Sequence, residues 1–496
     1  MRELKQNIGD DFLLRVKKTS FLSDVLTLVG GTTLAQIITI LTTPILTRIY
    51  GPEEFGLFTL FSSITLIVGV LVCLRYEFSI MLPRSDEEAA NLLALSLFIA
   101  CLISFFSIPI IWFGRQPILN ILKTPQLEAY LYLVPLFALI SGVYLSLNYW
   151  NSRTKRFQRL SVTKVLGSVA TAGTQLSAGF AGYATGGSLI GASLVGQSLS
   201  TLILGGQIWK DDRSLFLRSI HWETMIEGLK RYRKFPLVDS WSTLLNVVSW
   251  QLPAFILASF FSPMVVGFYS LGVQFLQLPM SFIGNSISQV FFQRASEAKA
   301  EGTLSSLVEN VFRLLVIVGM FPILMLTIVG SDIFSIVLGV SWAEAGVYAQ
   351  IMSVWAFIWF ISSPLSTLYI VLEEQQFGLK YNLINFSTRL LSLLMGGFLG
   401  SARITLILFS ISGIFVYGYL CLKMISYSKV ELSHVKKIIL SNLTLFAPAG
   451  LILIILKIAS ISQLSITIIS SLFCVIYYLY IIKTDPQIQT LFNIKL

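Results

Sequence analysis

Charge is scarce in this chain. Of 496 residues only 12% are Asp, Glu, Lys or Arg, while 55% are hydrophobic, and the mean hydropathy is +0.79. A soluble protein of this length could not keep so much apolar surface from water. Histidine and cysteine are scarce as well, with two and four residues. Cys73, Cys101, Cys421 and Cys474 all fall inside apolar runs, so they read as small apolar side chains and not as disulfides or ligands. His221 and His434 stand in polar loops without Cys or acidic partners at ligand spacing, and no metal site is expected. No Gly-rich loop ending in Gly-Lys-Ser/Thr occurs, which removes that route to ATP hydrolysis. Short alternating segments of the β-barrel kind are missing too. No cleavable leader is read: residues 1–20 are polar and basic, and the first apolar run reads as an uncleaved start-transfer helix.

What is present is a series of apolar runs of about 20 residues, each long enough to cross a bilayer as a helix. Fourteen spans are expected, at roughly 22–47, 56–82, 89–113, 128–149, 161–182, 187–208, 237–260, 265–292, 311–337, 344–370, 381–399, 404–425, 437–456 and 462–482. The fold class is therefore an all-α polytopic membrane protein. Of the 35 Lys and Arg, 27 fall on the side of the N-terminus, and only Arg48, Arg115, Lys123, Arg403 and Lys457 in the opposite loops. That bias predicts cytoplasmic termini. The +10 net charge thus reports topology, and nucleic acid is not expected as a partner.

One pattern occurs twice. Tyr50-Gly51-Pro52-Glu53-Glu54-Phe55-Gly56-Leu57-Phe58-Thr59-Leu60 matches Phe261-Ser262-Pro263-Met264-Val265-Val266-Gly267-Phe268-Tyr269-Ser270-Leu271. Six spans separate the copies, an even number, so two parallel six-helix bundles are expected. The organisation read is an N-terminal cytoplasmic segment 1–21, bundles 22–210 and 237–427, a cytoplasmic linker 211–236, two further helices within 437–482 and a cytoplasmic tail 483–496.

Polar residues recur at helical spacing within spans. They are Thr32, Gln36, Thr39, Thr43 and Thr47; Asp239, Ser242, Asn246 and Ser249; Gln274, Gln277, Ser281, Asn285 and Ser288; and Asn382, Asn385, Arg389 and Ser392. Such stripes either bond helix to helix or line a hydrated cavity. Arg389 stands near mid-span, too deep for easy snorkelling. The candidate substrate-binding residues are Arg389, Arg75, Arg48, Asn385, Asn246, Asn285 and Gln274, because guanidinium binds phosphate bidentately without losing its charge. The candidates for a coupling ion are Asp24, Asp239 and Glu77. No catalytic residue is expected. The acidic pairs Asp10-Asp11, Asp211-Asp212 and Glu373-Glu374 read as solvated faces.

The segment Pro44-Ile-Leu-Thr-Arg48-Ile-Tyr50-Gly-Pro52-Glu-Glu-Phe55-Gly56-Leu-Phe, with Arg75-Tyr76-Glu77-Phe-Ser-Ile80-Met-Leu82-Pro83, resembles the Wzx-type polysaccharide flippases. These belong to the multidrug/oligosaccharidyl-lipid/polysaccharide exporter superfamily, whose bundles are of the MATE kind. The resemblance implies transport of undecaprenyl-diphosphate-linked oligosaccharide units, for O-antigen or capsule, across the bacterial cytoplasmic membrane. It implies alternating access driven by Na+ or H+, no cofactor, and membrane lipids, a glycan polymerase and a chain-length regulator as partners. The rivals are a MATE-like drug/cation antiporter, which typically has twelve spans, a MurJ-type lipid II flippase, and a membrane glycan polymerase. Against the last stands the longest external loop, about fourteen residues from Gly114 to Leu127, too short for a catalytic domain.

Overall fold

The computed structural model describes residues 30–485 and residue 489. Asp10, Asp11 and Asp24 lie outside the described residues. Helices account for nearly all of what is described, and no strand occurs there. In chain order they are α1 (Gly30–Ile49), α2 (Pro52–Leu71), α3 (Asp86–Leu122), the short α4 (Glu128–Leu131), α5 (Val134–Arg153), α6 (Phe157–Phe180), α7 (Gly186–Ser219), α8 (Trp222–Arg231) and α9 (Ser240–Phe260). There follow α10 (Pro263–Leu276), α11 (Asn285–Glu301), α12 (Leu304–Leu338), α13 (Ala343–Ser362), the short α14 (Leu368–Val371), α15 (Gln375–Phe398), α16 (Ala402–Tyr427), α17 (Leu432–Ile458) and α18 (Gln463–Thr484). The chain folds as two compact units, Met1–Gln251 and Leu252–Leu496.

Ten of these segments are long and apolar enough to cross a bilayer, and a pair bent by 50° at residues 132–133 adds an eleventh. The other three spans read from the sequence fall on α6, on α10 with α11, and on α15. These are helical, but α6 and α15 carry polar side chains, such as Arg159, Lys164 and Gln175 in α6, and α10 is apolar but only 14 residues long. The protein is an all-α polytopic membrane protein.

Some boundaries differ from expectation. The second span stops at Leu71 and not at 82, and a 3-10 helix (Tyr76–Met81) follows. The eighth is broken by a π-helical turn at Met280–Gly284. The polar stretch after Trp209 is no open loop: α7 runs on to Ser219, and α8 follows one turn later.

The two repeat copies start helices in the same way. Pro52 and Pro263 occupy the first turns of α2 and α10, where a missing N–H costs nothing, after extended Gly51 and Ser262. In the first unit, Tyr50 is buried and its hydroxyl donates to the Gln175 carbonyl at 2.7 Å. The Glu54 carboxylate accepts the Gly186 N–H at the start of α7. Thr185 and Ser188 form a capping box at the same turn. An anion at a helix N-terminus is stabilised by the free N–H groups and the dipole. The second copy has Met264 and Val265 in place of Glu53 and Glu54, so it carries no such arm.

Asp211 and Asp212 are not a solvated face. Arg156 bonds Asp211 at 2.8 Å, Arg159 also reaches Asp211, and the Trp150 indole donates to Asp212 at 2.8 Å. This network ties α5, α6 and α7 at one end.

In the second unit, α12 and α13 meet closely because Gly330 faces Gly346, and a side chain at either would strike the opposing backbone. Helices α17 and α18 pack on α12. Phe321 stacks on Tyr477 at 4.2 Å, and the Tyr477 and Tyr478 hydroxyls donate to the Ile317 and Val318 carbonyls at 2.6 and 2.8 Å. At the other end of α12, Lys457 pairs with buried Asp332 at 2.8 Å and donates to the Ile328 carbonyl at 2.9 Å. Lys457→Ala strands that carboxylate. We expect it to lower stability by about 2 kcal/mol, less than a fully buried pair because Lys457 is partly exposed. Thermal unfolding in detergent measures this, and an unchanged midpoint would deny the pair a structural role.

Candidate functional site

The first cluster forms where α2 ends. Leu74 and Arg75 both adopt left-handed backbone, with φ of 47° and 65°. Two consecutive non-glycine residues in that region are strained, and strain persists only where the surroundings hold it. Here they do. The Tyr76 hydroxyl donates to the Leu229 carbonyl of α8 at 2.8 Å. The guanidinium of Arg153, at the end of α5, donates to the carbonyls of Ile80, Pro83 and Ser85 at 3.1, 2.9 and 3.1 Å. Its Nε and Nη2 also reach the Asp86 carboxylate.

This frame presents Arg75. Its Nε donates to Asp239 Oδ2 at 2.8 Å, and its guanidinium lies 4.1 Å from the Phe78 ring centroid. Phe78 in turn packs on Tyr149 at 4.8 Å and stacks on Phe235 at 6.3 Å. Phe235 and Asp239 bound a π-helical turn that leads into α9. Such turns are frequent at functional sites. Arg75 Nη1 is 3.8 Å from Glu77 Oε1, beyond a hydrogen bond.

Glu77 is 1% exposed, and its Oε2 has no hydrogen-bond partner. It lies on the 3-10 helix between the spans α2 and α3. Burial pushes its carboxyl up to about 7, against the pull of its own backbone N–H and of Arg75, while Asp239 adds to the rise.

The second cluster lies in the other unit. Arg389 on α15 is 3% exposed. Its Nη2 donates to the Tyr417 hydroxyl of α16 at 3.4 Å, and its guanidinium is 5.7 Å from the Phe409 ring centroid. Asn385 donates to the same Tyr417 hydroxyl at 3.4 Å. Tyr381 meets Tyr417 edge to face at 6.1 Å. A guanidinium among aromatic faces gains cation–π attraction and keeps its charge.

The structure thus brings Arg75, Glu77 and Asp239 together, although sequence reasoning placed them in two different roles. It also joins Arg389 to Asn385. Arg48 is exposed at the end of α1, with a bond to the Pro44 carbonyl at 3.0 Å. Asn246 and Asn285 are exposed, and Gln274 is half-buried.

Comparison with known proteins bears on this arrangement. A family model described as "Polysaccharide biosynthesis protein" matches residues 45–347, a range that holds both copies of the repeat and the Arg75–Glu77–Asp239 cluster. The chain belongs to the polysaccharide biosynthesis protein family. No curated protein sequence matches it. Among solved structures, the lipid II flippase MurJ in an inward closed conformation superposes with a TM-score of 0.69 at 13% identity, covering 92% of this chain and 98% of that one. An outward-facing multidrug resistance MATE transporter of the MOP superfamily gives 0.55 at 14% identity, covering 82% and 96%. A mutant of the Vibrio cholerae MATE transporter VcmN gives 0.52 at 14% identity, covering 84% and 98%. This member of the family therefore shares the fold of MurJ and of the MATE transporters.

Sequence reasoning missed two residues of the family member's first unit. Arg153 stands beside Lys155, Arg156 and Arg159, and nothing in the sequence sets it apart from them. Asn91 was hidden in an apolar run. Its amide donates to the Ser219 carbonyl at 2.6 Å and accepts the His221 N–H at 2.8 Å, closing the break between α7 and α8. The run Arg153 to Arg159 gave no local sign that one guanidinium turns back onto a turn seventy residues earlier.

Proposed function

We propose that this protein is a flippase that moves an undecaprenyl-diphosphate-linked oligosaccharide, an O-antigen or capsule precursor, across the bacterial cytoplasmic membrane. The observation that carries this is membership of the polysaccharide biosynthesis family on a fold shared with MurJ and the MATE transporters. MurJ, which has the highest TM-score given above, is a lipid II flippase, and this fits a lipid-linked glycan as cargo. In this reading Arg389 and Arg75 serve the diphosphate or an acidic sugar, with Arg48, Asn385, Asn246, Asn285 and Gln274 along the path. Asp239, Glu77 and Asp24 serve the coupling ion. Bundles 22–210 and 237–427, the linker 211–236, the helices within 437–482 and cytoplasmic termini complete it. A glycan polymerase and a chain-length regulator would act on the delivered units.

The test is reconstitution. Vesicles holding the purified protein receive a fluorescent undecaprenyl-diphosphate-linked disaccharide, and the label reaching the opposite leaflet is followed by a membrane-impermeant quencher. We expect translocation that protein-free vesicles lack. Equal rates with and without protein, joined to expulsion of a cationic dye, would instead establish the drug antiporter.

A further inference from the structure

The coupling ion is open in that reading, and the first cluster bears on it. Glu77 is buried, one of its oxygens meets no donor, and its nearest cation stands 3.8 Å away. A buried carboxylate left in this state is costly, whereas a neutral carboxyl is not. Asp239 differs: its side chain is 45% exposed and holds the close bond from Arg75. One guanidinium therefore lies between two carboxyl groups, bonded to the wetter one at 2.8 Å and 3.8 Å from the drier one.

The geometry points to Glu77 as the carrier of one exchangeable proton, with Arg75 passing between Asp239 and Glu77 as that proton leaves and returns. The step breaks only the Glu77 O–H bond and gives the proton to water. With Glu77 neutral, Arg75 stays on Asp239 and the π-helical turn is tied to the 3-10 helix. With Glu77 ionised, the guanidinium gains a desolvated anion within reach, and Asp239 is left to solvent with the head of α9 untied. The cation–π contact with Phe78 gives Arg75 a pivot common to both positions.

A metal cation suits this site poorly. Such an ion draws several oxygen ligands, and the permanent positive charge of the guanidinium beside Glu77 repels it. Of the titratable and charged groups around Glu77, Arg75 and Asp239 act on its charge, and Cys73, just past α2, and Tyr149 on α5 feel it; Tyr76 on the same segment is bonded to the Leu229 carbonyl, and Glu88 of α3 is paired with Arg231 of α8. Arg153 and Asp86 are bonded to each other, with Arg153 also on three carbonyls. Arg75 and Asp239 are therefore the pair that responds to the Glu77 charge.

This inference deepens the flippase reading by naming its ion, yet its test needs no lipid-linked substrate, so the two fail separately. Infrared difference spectra of the purified full-length protein are recorded between about pH 5 and pH 9. We expect one protonated carboxyl band to titrate near neutrality and to vanish in Glu77→Gln. In Asp239→Asn the same band should persist and titrate about one unit lower, because Arg75 then leans on Glu77 alone. Circular dichroism verifies that both variants are folded. A band that survives in Glu77→Gln, or no shift in folded Asp239→Asn, overturns the proposal. So does a wild-type band that sodium chloride abolishes at fixed pH when potassium chloride does not.

Discussion

Arg389→Ala is expected, on the flippase reading, to abolish surface glycan while the protein remains in the membrane. The guanidinium is 3% exposed on α15, which the sequence reading takes as a span, and a charge buried in a span is expensive. Its contacts with Tyr417 and Phe409 are a long hydrogen bond and a cation–π approach, at 3.4 and 5.7 Å. A substrate phosphate that meets this group would lose a charge-assisted hydrogen bond in the variant, about 1.5 to 3 kcal/mol, or roughly ten- to a hundredfold in affinity. Glycan is read by immunoblot of whole cells, and protein by blot of the membrane fraction. Arg389→Lys then separates two mechanisms. Partial recovery means that charge suffices, and no recovery means that the planar fork is needed. Normal glycan in Arg389→Ala removes the residue from the site.

The second large effect belongs to Arg153. Its side chain is 11% exposed, and three of its bonds go to backbone carbonyls of the turn that carries Leu82 and Pro83. Pro83 supplies no N–H, so that turn has few ways to hold itself. In Arg153→Ala three carbonyls lose a charged donor, at about 1 kcal/mol or more each. We expect a loss of about 3 to 4 kcal/mol, seen as a lower thermal midpoint in detergent. Arg153→Lys should recover less than half, because an ammonium cannot address carbonyls in a fixed fork. Exposed Asp86 contributes little, so Asp86→Ala should fall within about 1 kcal/mol of the parent. Equal losses for Arg153→Ala and Asp86→Ala would show that the ion pair, not the carbonyl clamp, holds the turn.

How much of this was legible in the sequence depends on the distance over which each residue acts. Pro52 and Pro263 marked helix starts because proline at the first turn is a local rule. Arg75 and Glu77 drew notice as charges in an apolar stretch, two residues apart. That Asp239 bonds Arg75 across 164 residues was not readable, since no local pattern encodes a partner so far along the chain. Asp211 and Asp212 read as solvated for the same reason: Trp150, Arg156 and Arg159 approach them only in three dimensions. Helix α8 was missed because ten residues with only a few apolar side chains fall below any span length, and the gain that docks it, Gly228 against Leu92, is a tertiary one. The end of α2 was placed too late because Leu74 to Leu82 is still largely apolar, and hydropathy does not report a left-handed backbone.

The Asn91 amide decides where this polypeptide tolerates being opened. Two of its bonds reach both sides of a helix break, so an epitope or protease site inserted between Ser219 and Trp222 would part those two partners and loosen the junction of α7 and α8. The charged, hydrophilic stretch that invites a tag or a split into co-expressed fragments is thus a poor place for either. The turn at Gly182 and Tyr183, exposed and with open space around the glycine, is the better seam.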